Sequence, residues 1–162
     1  PDKRHRDMKK NIRKLHESFQ HAFRGLGLCI HGERNFRVHM TAAFYVTVFA
    51  LMGRATAAEA AVLCLCFGLT MGAELMNTAI ERLCDRQASG YDGFVRNAKD
   101  IAAAGVFVCA AACVAVGVCI FLFEGVLFSA LSWLLAHLWA AAVLLVSIPA
   151  ALWFIFKYGR IQ

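Results

Sequence analysis

Three acidic side chains and one amide recur at helical spacing near the middle of the chain. Glu74, Asn77, Glu81 and Asp85 are three or four residues apart, so on a helix they share one face. Glu74 follows a long apolar stretch, and a carboxyl group is costly inside a membrane unless it is paired, hydrated or bound to a metal. This face therefore predicts a functional site. The alternative is a polar stripe that joins packed helices.

Acidic residues beside basic ones at the end of an apolar helix suit a divalent cation with phosphates. Mg²⁺ prefers carboxylate oxygens and is usually completed by the phosphates of its substrate. We expect Glu33 to join the acidic face from its own segment, and the alternative is a weak surface ion pair between Glu33 and Arg37. The candidate phosphate partners are Lys14, Arg37, Arg96 and Lys99.

Neither of the common glycine-rich phosphate-binding motifs occurs. The sequence has no G-x-x-x-x-G-K-S/T and no kinase-type G-x-G-x-x-G. We therefore expect ATP, if it is bound, to be bound by helix ends at a membrane surface.

Composition favours a membrane protein. Of the 162 residues 60% are hydrophobic, against about 45–50% in an average soluble domain. Ten of the seventeen Lys and Arg residues lie in the first 37 positions, six others cluster around 82–99 and at the C-terminal end, and only Arg54 lies between the groups. Basic clusters that alternate with apolar stretches predict that both termini are cytoplasmic. An anionic membrane surface is a better partner for this charge than nucleic acid.

The seven cysteines are scattered and form no C-x-x-C pair. We therefore expect neither a disulfide framework nor a zinc site.

The hydropathy pattern predicts an all-α membrane protein. Residues 1–7 are interpreted as an upstream extension, and the spacing of apolar residues predicts an amphipathic surface helix over 11–30. Gly25 and Gly27 should weaken its end. The remaining expected elements are spans over about 36–53, 57–80 and 101–123, then in 124–162 an interfacial segment (126–137) and a fourth span (138–156).

Three short motifs resemble those of the prokaryotic diacylglycerol kinase family, and the resemblance covers about residues 10 to 123. The first runs from Glu74 to Asp85 as E-x-x-N-T-A-I-E-x-x-x-D, the second is A-K-D-I-A-A at 98–103, and the third is G-E-R-N-F-R at 32–37. The order and spacing of the three motifs also match the family. Residues 8–123 are accordingly interpreted as a lipid kinase domain, whereas 124–162 have no counterpart in it.

The resemblance implies a homotrimer with active sites between protomers at the cytoplasmic interface. It implies that Glu74 is the general base, that Glu33 and Glu81 hold Mg²⁺ and that Asn77 helps to arrange the site. The implied nucleotide contacts are Lys14, His21, Glu33, Glu81, Gly90, Tyr91, Asp92, Lys99 and Asp100, and the implied lipid contacts are Lys14, Asn35, Arg37, Glu74, Asn77 and Ala103. Lys14 stands where the family's best-known member has an arginine, so the charge is kept but bidentate geometry is not.

The implied reaction is phosphoryl transfer from ATP to the primary hydroxyl of a membrane lipid. The motifs at 77–81 and 99–103 look more like those of the Gram-positive undecaprenol kinases, so undecaprenol is the first expected substrate and diacylglycerol the second. The alternatives outside this class are a small ion-coupled transporter, which would move a solute without consuming ATP, and a non-enzymatic membrane scaffold.

Overall fold

The expected all-α fold is confirmed. The computed structural model describes residues 3–87 and 92–158, and in these two ranges the regular secondary structure is entirely helical. The elements are α1 (Lys3–Gly32), α2 (Arg34–Met52), α3 (Ala57–Gln87), α4 (Gly93–Val118) with a π-helical continuation (Cys119–Phe123), α5 (Val126–Ala136) and α6 (Leu138–Phe156).

The first helix is longer than the apolar spacing predicts. It continues through Gly25 and Gly27, where the sequence suggests a weakened end, and stops only at Gly32. Two features stabilise its last turn. The Cys29 side chain is buried, and the Arg37 side chain donates to the backbone carbonyl of Ile30 at 2.8 Å. Tertiary contacts thus override the low helix propensity of glycine. We call residues 28–33, where α1 turns into α2, the elbow.

Helices α3 and α4 form a long hairpin. The first begins with reciprocal hydrogen bonds between Thr56 and Glu59, and the second with a bond of 2.8 Å from the Phe94 amide to the Asp92 carboxylate. Both extend beyond the apolar ranges expected for them, to Gln87 and back to Gly93. Backbone hydrogen bonding continues into the polar sequence, so the apolar runs underestimate the lengths of these helices. The elbow and the α3–α4 connection lie at one end of the bundle, which we call the polar end.

The opposite end holds the main apolar core. Ala50, Leu63, Ile120 and Val126 are buried together there. A Cβ at Gly53 would lie 2.3 Å from the backbone oxygen of Val126. Glycine therefore allows α5 to begin directly against the end of α2.

The C-terminal helices are divided where the sequence predicts. His137 separates α5 from α6, and its ring stacks on Trp133 with 4.2 Å between ring centroids. Helix α6 then returns along α2 to the polar end, and the hydroxyl groups of Tyr45 and Ser147 are 2.8 Å apart on the way. The C-terminal helix is therefore packed on the domain that precedes it.

Three helices in the described residues are long and apolar enough to cross a membrane: Ala57–Arg86, Gly93–Phe123 and Leu138–Phe156. Only 22%, 6% and 6% of their most apolar windows are buried inside the chain. Their apolar faces therefore point outward, as a lipid environment requires. Helix α2, expected as the first of four spans, has 19 residues with Arg34 and Arg37 in its first turn and is not among the three.

Candidate functional site

The predicted polar face of α3 is turned into the protein at Glu74 and Asn77, whereas Glu81 is partly exposed and Asp85 is exposed. Glu74 is only 2% exposed, Thr78 is 3% exposed, and Thr70 and Asn77 are also buried. Thr70 lies one turn before Glu74, and its hydroxyl is 2.9 Å from the Cys113 thiol of α4. A carboxyl group thus lies inside a helix bundle whose other buried residues are mostly apolar.

Asn77 and Glu81 are joined by a hydrogen bond along the same helix. The Asn77 amide nitrogen donates to the Glu81 carboxylate at 2.9 Å. The other polar atom of the Asn77 amide, Oδ1, is buried and has no hydrogen-bond partner. Among the buried side-chain oxygen and nitrogen atoms of residues 3–87 and 92–158, it alone lacks one. Such a buried acceptor has a free-energy cost. A bound ligand with a donor group would satisfy it.

Glu33, in the elbow, lies near the polar face of α3. Glu33 and Glu81 are the two carboxylates whose charges act on Glu74. Glu33 Oε1 also lies 3.6 Å from Arg82 Nη2 of α3. The Arg82 guanidinium packs closely against the elbow, since a Cβ at Gly32 would lie 2.9 Å from the same nitrogen. The structure therefore places Glu33 and Glu81 near enough to Glu74 for their charges to act on it, and it bonds Asn77 to Glu81.

Two residues of this site were not expected from the sequence. Arg82 neutralises part of the acidic charge, and Cys29 is buried beside Thr78 and Arg82. Burial raises the pKa of the Cys29 thiol, while the Thr78 hydrogen bond and the Arg82 charge oppose the rise. The sequence offers one indication of Arg82's role: it follows Thr78 by one helical turn and therefore lies on the same face of α3. No sequence pattern reports its pairing with an acid 49 positions earlier.

Several predicted nucleotide residues at the polar end are paired with neighbours. Lys99 Nζ lies 2.5 Å from Asp85 Oδ1 and links α4 to α3. Arg96 Nε is 3.8 Å from Asp100 Oδ2 one turn away. Asp92 is used as the N-cap of α4. The charge of Glu81 also acts on Lys99, so this lysine lies beside the acidic face of α3.

Other predicted contacts are not brought to the carboxylates within one chain. Lys14 and His21 are exposed on α1; at 1.5 Å per residue they lie about 27 Å and about 16 Å along the axis from Gly32. Asn35 and Ala103 are also exposed. Gly90 and Tyr91 lie outside the described residues.

Arg37, expected to contact phosphate or lipid, is 5% exposed and is held by the backbone. Its guanidinium group donates to the carbonyl oxygens of Ile30, His31 and Ile155 at 2.8, 3.1 and 3.2 Å. These bonds tie the elbow to the end of α6.

The side chains fit a magnesium–phosphate site better than a metal site made by protein alone. Among the described residues, no group of three or more His, Cys, Asp or Glu side chains could hold a metal ion. Mg²⁺ in phosphoryl-transfer sites usually takes one or two carboxylates and completes its coordination with phosphate and water. Glu33 and Glu81 would be such a pair, and the buried Asn77 Oδ1 could accept a hydrogen bond from a hydrated ligand.

These features define a class: a multi-pass helical membrane protein with a buried carboxylate, and further acids near it, towards the polar end of its bundle. The family model for prokaryotic diacylglycerol kinase matches residues 20–121. The chain belongs to this family, and it is a lipid kinase, a transferase of lipid metabolism that requires a phosphate donor.

Two curated relatives carry more specific names. The chain is 32% identical to an undecaprenol kinase of Bacillus subtilis over 117 residues, which are 72% of this chain and 95% of that protein. It is 37% identical to a diacylglycerol kinase of Synechocystis over 106 residues, which are 65% of this chain and 61% of that protein. No solved structure matches the chain.

Proposed function

We propose that this lipid kinase transfers the γ-phosphate of ATP to the primary hydroxyl group of undecaprenol. The observation that carries the proposal is the burial of Glu74 beside Asn77, within reach of the charges of Glu33 and Glu81. A buried base next to groups that can bind a metal–phosphate complex is what this reaction needs. The kinase chemistry is assigned to residues 8–123, which include the whole of the family match.

Glu74 acts as the general base. Its carboxylate accepts the proton of the lipid hydroxyl while that oxygen forms a bond to the γ-phosphorus of ATP. The bond from the γ-phosphorus to the bridging oxygen breaks, and ADP leaves with the electron pair. Asn77 holds Glu81 through its amide nitrogen and has its own oxygen free to accept a hydrogen bond from a ligand.

The nucleotide is held by charge at the polar end. Glu33 and Glu81 would hold Mg²⁺, which when bound supplies positive charge to the phosphates. Lys99, Asp100 and the Asp92 loop are proposed to contact ATP. Lys99 pairs with Asp85 at the end of the acidic face, and the charge of Glu81 also acts on it.

The proposed assembly is a homotrimer in the bacterial cell membrane. In each protomer α2 is proposed to cross together with the three long apolar helices, so that both termini lie in the cytoplasm. The outward apolar faces of the three long helices are available to lipid and to further copies. Lys14 and His21 lie too far along α1 to serve the carboxylates of their own chain, so their proposed nucleotide role is toward a neighbouring protomer. Asn35 and Ala103, which are exposed, are kept as proposed lipid contacts. The Arg37 guanidinium, by contrast, is buried against backbone carbonyls and is not proposed to contact lipid.

Diacylglycerol is the second candidate substrate, and the higher identity to the Synechocystis kinase favours it. Undecaprenol is preferred because the match to the Bacillus subtilis kinase spans nearly all of that protein. The two share a primary hydroxyl and differ mainly in their chains.

A competition assay tests the proposal. Purified protein is given labelled ATP with equal mole fractions of undecaprenol and diacylglycerol in one micelle composition. We expect most of the label in undecaprenyl phosphate. Predominant labelling of phosphatidic acid would exchange the two candidates, and label in neither lipid would contradict both.

A further inference from the structure

The end of α6, which lies outside the family match, is bonded to the elbow. Arg37 Nε donates to the Ile155 carbonyl at 3.2 Å. The Nη1 group of the same side chain donates to Ile30 and His31. One buried guanidinium therefore joins backbone carbonyls of α1 and α6.

A second link joins the same two segments. The Tyr158 hydroxyl lies 3.2 Å from His31 Nε2, and the two rings are 5.2 Å apart. His31 Nδ1 lies 2.7 Å from the Gly27 carbonyl, which can only accept, so the neutral ring carries its proton on Nδ1. Nε2 is then the acceptor for the tyrosine hydroxyl.

The elbow is held from its other side by α3. Arg82 Nη2 lies 3.6 Å from Glu33 Oε1 and donates to the Leu28 carbonyl at 3.4 Å. The segment that carries Glu33 is thus fixed between Arg82 and the end of α6.

We propose that the end of α6 is a brace that positions Glu33, with Arg37 and Tyr158 as positioning residues. The inference rests on the proposed metal and nucleotide role of Glu33. It gives the C-terminal segment a role in the affinity of the site, whereas the reacting groups remain in residues 8–123. Loosening the brace should free the elbow and weaken metal–nucleotide binding, with the proton transfer at Glu74 unaffected.

The chain offers a matched pair of variants for the test. Tyr158→Phe removes the hydroxyl that contacts His31 and keeps the ring. Tyr45→Phe removes a hydroxyl in the middle of α2 that bonds to Ser147 of α6 at 2.8 Å. Both variants lose one hydrogen bond between the C-terminal segment and an earlier helix, and only the first loses it at the elbow.

Elbow opening is read directly from the alkylation of Cys29, which is 5% exposed. Full-length protein without nucleotide is treated with a maleimide at fixed pH, and modification is followed by mass spectrometry of the Cys29 peptide. Because a hydrogen bond contributes modestly to stability, we expect alkylation to be about two- to tenfold faster in Tyr158→Phe. It should be unchanged in Tyr45→Phe. The Mg²⁺ concentration for half-maximal activity should rise similarly in Tyr158→Phe, with kcat unchanged.

The outcomes separate this inference from the proposed function. Cys29 alkylation in Tyr158→Phe at the rate of the Tyr45→Phe control would overturn the brace, even if Glu33→Gln alters the Mg²⁺ requirement. Faster alkylation in Tyr158→Phe supports the brace. An unchanged Mg²⁺ requirement in Glu33→Gln would overturn the metal assignment, and the brace would then be judged by alkylation alone.

Discussion

The Asn77 side chain donates to Glu81 at 2.9 Å and leaves its own oxygen buried without a partner in the described part of the chain. A purely structural amide between packed helices would use both of its polar atoms, because an unmet buried acceptor is destabilising. The half-satisfied state is typical of a site that a ligand completes.

Asn77→Leu separates these two interpretations. It removes the unmet oxygen and keeps the side-chain volume, so the free energy of unfolding should change by less than about 1 kcal/mol. Turnover should fall by about tenfold or more, because Glu81 loses its support. Thermal unfolding and kinase activity are measured on the same sample. Loss of stability together with loss of activity would indicate structural glue.

Glu81→Gln should fail through the metal. The amide retains an acceptor for Asn77 but has no negative charge, so Mg²⁺ and ATP binding weaken. Added Mg²⁺ should restore part of the activity. A titration of Mg²⁺ at several ATP concentrations measures this effect. Activity that stays low at every Mg²⁺ concentration would contradict the metal role.

Lys99 and Asp85 form an ion pair whose two partners should behave differently. Lys99→Met should raise the KM for ATP by about tenfold if the lysine contacts phosphate. Asp85→Asn releases that lysine and should leave the KM within about twofold. Steady-state kinetics of both variants decide the point. Equal defects would show that the pair acts through the α3–α4 hairpin alone.

Gly53→Ala should reduce stability without changing chemistry. The new methyl group would meet the Val126 backbone at 2.3 Å, so the start of α5 must move, at a cost of about 1–3 kcal/mol. The matched control is Gly105→Ala on α4, where a Cβ meets nothing within 4 Å. The unfolding temperature in detergent should fall only for Gly53→Ala. An equal fall in both variants would contradict the tight contact.

Local sequence patterns predicted the helices and the acidic face, because both depend on spacing within one segment. The division at His137 and the shared face of Glu74 and Asn77 on α3 were predicted in this way. The helix ends were not predicted, because they depend on further contacts. Asp92 caps the start of α4, and Arg37 bonds to the last turn of α1.

Long-range partners could not be predicted from one sequence. Arg37 was expected at phosphate or lipid, yet its guanidinium bonds to a carbonyl 118 positions away. Arg82 meets Glu33 across 49 positions. Such pairings depend on how the elbow and α6 pack, which local spacing does not encode.

The most direct measurement of the central claim is phosphoryl transfer by Glu74→Gln, followed with labelled ATP and undecaprenol at saturating Mg²⁺. The amide keeps the size of the side chain but cannot accept the hydroxyl proton, so turnover should fall by about 10²–10⁴ with nucleotide affinity nearly unchanged. Glu59→Gln is the matched control on α3, because glutamine also serves in the bonds to Thr56. Near-normal turnover in a Glu74→Gln protein that folds and assembles like the control would contradict the account.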